Sequence, residues 1–222
     1  VTTLSSSKAG MTTYQLHTVL TAGQTNVYAL AGTPDQNLIM PPAFQVAAPF
    51  GTDVGGVSPA FFPVNADAEF DSWLTVGATD GSAGAAISTI GVGLDGWSLS
   101  TGIAANNGAV FWMNPNSGPG GADPICVAQV TVPSGSDLTA AGMLQGRSAS
   151  GADWSAVITW GTGSGGGGGS SSNAVVTTLS SSKAGMATYQ LHAVLTADQS
   201  NVYTLAGTPD QNLIMPPAFQ VA

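Results

Sequence analysis

Residues 12–20 read TTYQLHTVL, and 175 residues later the chain restates them at 187–195 as ATYQLHAVL. Tyr14, Leu16, Thr18 and Leu20 alternate with Gln15, His17 and Val19, the period of two expected of a strand with one face on a core. Working outward, short runs of the same kind recur between Gly, Asn and Pro turns. NVYALAG (26–32) follows the turn AGQT, and the spacing predicts a hairpin with 12–20. LIMPPAFQV (38–46) is held extended by Pro41 and Pro42. FDSWLTVG (70–77), AISTIGVGL (86–94), GWSLS (96–100) and AVFWM (109–113) continue the series. ICVAQVTV (125–132), AGMLQGRSA (141–149) and WSAVITW (154–160) close it. Apart from a turn around SGSDLTAA, nothing sustains a helical period. The expected fold is all-β, an antiparallel two-sheet sandwich or jelly-roll-like repeat unit.

The restatement is longer than one strand. Val1–Ala47 and Val176–Ala222 align without gaps, differing only at Thr12/Ala187, Thr18/Ala193, Gly23/Asp198, Thr25/Ser200 and Ala29/Thr204. Such near identity is the mark of a tandem array, with a period of 175 residues. The expected division is a β unit over 1–160, a Gly/Ser linker or crossover over 161–175, and the opening part of the next unit over 176–222. On this reading the chain is a window on a longer polypeptide. The run GTGSGGGGGSSSN (161–173) has the composition of a flexible tether, and the restart directly behind it favours a crossover handing one unit to the next. The segment 176–222 is too short to fold alone, so its strands are expected to join a neighbouring sheet.

The chain of 222 residues is 43% hydrophobic and 7% charged, with 30 Gly and 13 Pro. Cytoplasmic proteins carry about 25% charged residues, so a surface of small neutral side chains points to an extracellular or cell-surface setting. The net charge is −9, with Lys8, Arg147 and Lys183 the only cations. Three cations cannot track a phosphate backbone, which argues against nucleic acid, and no apolar run is long enough for a spanning helix. Cys126 is the single cysteine, so no internal disulfide is possible. Its apolar setting in PICVAQVTV favours a buried thiol, with an interchain disulfide the alternative.

Catalytic chemistry finds little purchase. Each copy supplies one histidine, His17 or His192, on an alternating strand without an acidic neighbour, and GRSASG (146–151) lacks the pattern of a nucleophile elbow. Neither zinc spacing nor a glycine-rich phosphate motif is present, and no enzyme is expected. Calcium is the one cofactor weighed: Asp67, Glu69 and Asp71 of NADAEFDS would share a face if that stretch were extended, and Asp80 stands beside a glycine turn. An exposed strand face or turn is the plainer reading of these acids. The five tryptophans, 73, 97, 112, 154 and 160, read mainly as core anchors. Trp73 and Trp112, flanked by polar residues, are the candidates for stacking on a glycan.

FDSWLTVG, AVFWMNP and VAQVTVPSG, with the repeated N-terminal block, resemble tandemly repeated secreted proteins of marine microbial eukaryotes. The resemblance implies extracellular structure and carries no catalytic residue with it. The expectation is therefore a non-catalytic repeat protein whose partner is itself, in a filament or surface coat. An adhesin with glycan- or surface-binding modules is the alternative.

Overall fold

The computed structural model describes residues 1–4, 8–162, 174–179 and 188–193. The expected linker residues 163–173 and most of the second copy lie outside them. In chain order the strands are β1 (Thr2–Thr3), β2 (Met11–Thr18), β3 (Ala29–Gly32), β4 (Leu38–Met40), β5 (Trp73–Leu74) and β6 (Ile87–Ile90). They continue with β7 (Ile103–Ala105), β8 (Gly108–Trp112), β9 (Ile125–Pro133), β10 (Thr139–Arg147), β11 (Asp153–Gly161), β12 (Ala174–Leu179) and β13 (Thr188–Ala193). The fold is all-β. Among the described residues the helical turns are short 3-10 segments only.

Every described strand pair is antiparallel. A smaller sheet runs β1-β2-β9-β5; a larger, seven-stranded one runs β6-β8-β3-β10-β4-β7, with β11 on the free edge of β10. Leu16, Val130 and Val132 of the smaller sheet share one buried cluster with Leu30, Leu38, Val110, Leu144, Ile158 and Trp160 of the larger. Alternation along each strand puts these residues on one face, and their removal from water is the main stabilising term. Trp160 also ties the sheets by a directed bond: its indole Nε1–H donates to the carbonyl of His17 at 2.9 Å. A bulge between Leu16 and His17 shifts the β2–β9 register at that point.

The expected hairpin between 12–20 and 26–32 does not form. β2 already pairs on both edges, with β1 and β9, while β3 enters the other sheet between β8 and β10. The AGQT turn thus carries the chain between sheets. Gly23, at φ +88°, takes a backbone conformation that a side chain would strain. GWSLS is likewise not a strand: Ser98 and Thr101 close a tight turn, and Trp97 anchors it by donating its Nε1–H to the carbonyl of Pro41 at 2.8 Å.

The repeated block therefore supplies central pieces of the fold. Residues 1–47 contribute β1 and β2 to one sheet and β3 and β4 to the other. β11 runs to Gly161, and Thr162 beyond it closes a pair of bonds with Leu138. β12 begins at Ala174, inside the expected linker.

Candidate functional site

The acidic stretch 65–72 is not extended. The Asn65 side chain accepts the N–H of Asp67 at 3.1 Å and starts a 3-10 turn over Ala66–Phe70. Three-residue periodicity then separates the carboxylates that a strand would have aligned. Asp67 pairs with Lys8, whose ammonium also lies 4.6 Å from the centre of the Phe44 ring. Asp71 is buried and accepts the backbone N–H groups of Val46 and Thr52, each at 2.7 Å. Asp80 accepts the N–H of Ser82 at 3.0 Å on an exposed turn. Asp67, Glu69, Asp71 and Asp80 are thus not brought together, and among the described residues no group of three or more His, Cys, Asp or Glu could hold a metal ion.

The loop that carries these acids covers the outer face of the smaller sheet. Val57, Ala68, Trp73 and Cys126 form a second buried cluster there, with Phe50 and Phe62 packed against it. Beside it opens a cleft of about 210 Å³, whose wall includes Trp73, Phe62, Glu69, Asp80, Gln15 and Gln129. Its amides satisfy one another. Gln15 donates to Gln129 Oε1 at 3.1 Å, and Gln129 donates to the carbonyls of Glu69 and Asp71 at 3.0 and 2.8 Å.

The stacking candidates fare differently. Trp73 is 2% exposed and offers no ring face to a sugar. Trp112 is half-buried against the main cluster and donates its Nε1–H to Ser117 Oγ at 3.2 Å. Cys126 is a free, buried thiol, and burial pushes it up to about 12. That environment rules against the interchain disulfide, which needs an accessible thiolate. His17 sits on β2 with Nδ1 at 3.2 Å from the Gln15 carbonyl and 3.1 Å from Thr2 Oγ1, and burial lowers its pKa.

What reading residues one by one missed is a relationship between the two copies. β1 and β2 pair Thr2 with Gln15 and Thr3 with Tyr14. β12 and β13 pair Thr177 with Gln190 and Thr178 with Tyr189, the same register displaced by 175 residues. In the first copy the far edge of β2 is filled along eight residue pairs by β9. In the second copy the described sheet consists of the two hairpin strands. The signal was present in the sequence as identity, but pairing register is a property of the fold.

Compared with protein families, with curated proteins and with solved structures, the chain shows no match.

Proposed function

We propose that the chain is a non-catalytic, extracellular structural protein of tandem β units, sandwich- or jelly-roll-like in design. The units assemble into a filament or surface coat, with strands of one unit completing the sheet of a neighbour. The observation that carries this reading is the shared hairpin register. A hairpin that reproduces the β1–β2 register carries along β13 the backbone donors and acceptors that β2 presents to β9. Such an edge forms backbone hydrogen bonds with a neighbour's β9 by taking the place of that neighbour's own β2.

A cysteine trap tests it. Thr13 faces Thr131 across β2 and β9, their hydroxyls 2.8 Å apart, and Thr188 is the counterpart of Thr13 in the second copy. Thr131→Cys combined with Thr188→Cys should give disulfide-linked ladders on mild oxidation of concentrated protein. Monomers alone, with no cross-link between chains at any concentration, would sink the strand-donation reading.

A further inference from the structure

Four side chains of the repeated block 1–47 reach partners that lie outside it. Lys8 pairs with Asp67, the Thr13 hydroxyl lies 2.8 Å from that of Thr131, and Gln15 donates to Gln129 Oε1 at 3.1 Å. Asn26 accepts the N–H of Arg147 at 2.8 Å and donates to the carbonyl of Pro115 at 3.0 Å. The second copy restates all four side chains, as Lys183, Thr188, Gln190 and Asn201. A block donated by another chain therefore brings the same groups to the same partners. What separates it from the resident block is confined to the five positions at which the copies differ.

Two of those differences favour the first copy. Gly23 adopts φ +88°, with nothing within 4 Å of where a Cβ would stand, so the aspartate at 198 brings backbone strain rather than a clash. Ala29 is 3% exposed between Phe111 and Gln145, and the threonine at 204 brings a methyl and a hydroxyl to that buried place. A third is neutral: Thr25 donates its hydroxyl to the Arg147 carbonyl at 2.8 Å, and Ser200 carries the same group. The alanines at 187 and 193, in place of Thr12 and Thr18, supply no polar group that would make up the difference.

We infer that these differences rank the two copies as occupants of one site, so that a unit keeps its own block in preference to a block another chain donates. Donation then fills units whose own block has left its place, and the exchange is reversible. The inference deepens the strand-donation reading and rests on it. Tethering favours the resident block in any case, by raising its local concentration. The differences add a preference written in the sequence, which substitutions read out while the tether stays the same.

The full chain carrying Thr131→Cys and Thr188→Cys supplies the readout, as the initial rate of interchain cross-linking at one fixed concentration. Adding Asp198→Gly and Thr204→Ala gives the donated block the first copy's residues and should raise that rate about tenfold or more. Adding Gly23→Asp and Ala29→Thr instead weakens the resident block and should raise it as well. Ser200→Thr should leave it unchanged. If circular dichroism shows the resident-block variant unfolded, the Asp198→Gly, Thr204→Ala chain decides, because its first copy is untouched. A rate unchanged or lowered in that chain overturns the ranking. The two readings fail separately. Cross-links that form at one rate in every chain remove the ranking and keep strand donation, whereas no interchain cross-link in any chain removes strand donation and the ranking with it.

Discussion

The carboxylate of Asp71 accepts the backbone N–H of Val46 at 2.7 Å, from a position fully removed from solvent. Its other oxygen holds Thr52, so one side chain fastens the loop 46–52 to the start of β5. Burial raises its pKa from the usual 3.8 to about 6, against the pull of the two N–H donors and with Asp53 adding to the rise.

A carboxyl whose folded pKa is raised is favoured in its protonated form, so its contribution falls as pH climbs from about 4 to about 6. Asp71 alone should make the protein about 3 kcal/mol more stable at the acid end of that window than above it. Urea unfolding across the window should show the slope, and Asp71→Asn should flatten it. His17 works in the opposite sense: its lowered pKa withdraws stability as pH falls below the unfolded value. His17→Gln in the same series separates the two.

Trp160 belongs to β11 and its indole bond ends on β2, so it reads out whether the two sheets share one core. Trp160→Phe should cost about 2–3 kcal/mol in chemical denaturation, from lost volume and an unpaired His17 carbonyl. Loss of under half a kcal/mol would mean the sheets are held elsewhere.

Three of the five differences between the copies, at Gly23, Thr25 and Ala29, fall where the structure gives the residue a definite role. Gly23 adopts φ +88°, and Ala29 is buried in the middle of the larger sheet between Phe111 and Gln145. Introducing the second copy's residues into the first, as Gly23→Asp with Ala29→Thr, should destabilise the unit by about 1–3 kcal/mol. Thr25→Ser should be near neutral, because a hydroxyl still reaches the Arg147 carbonyl that Thr25 contacts at 2.8 Å. Thermal unfolding of the three single variants checks the order.

Cys126 should react with iodoacetamide at least about a hundredfold more slowly in native protein than in urea, since the thiolate is the nucleophile and burial suppresses it. Non-reducing gels of oxidised parent protein should show no dimer through this residue. Fast native labelling would place the thiol at the surface.

Strand identity was largely legible in the sequence, because a period of two survives in any strand with one wet and one dry face. TTYQLHTVL became β2 and ICVAQVTV became β9, while β1 and β7 passed unnoticed, being two or three residues long. In the acidic stretch the shared face depends on an extended chain, and the Asn65 cap closes a turn that alternation alone does not reveal. Trp73 looked available because its sequence neighbours are polar, yet Asp71 and Ser72 are themselves buried and hydrogen-bonded.

By itself the sequence determined the all-β class, the 175-residue period, the lack of an internal disulfide and the shortage of charge. Each follows from local pattern or composition. Only the tertiary structure decided which strands are neighbours, that β2 and β3 part into different sheets, and that the hairpin register recurs in both copies. It also decided that Ile90, Ala109, Ala31, Met143 and Val157 stand in one row. These five come from strands up to 126 residues apart, between Ala31 and Val157, and only long-range backbone pairing sets them side by side.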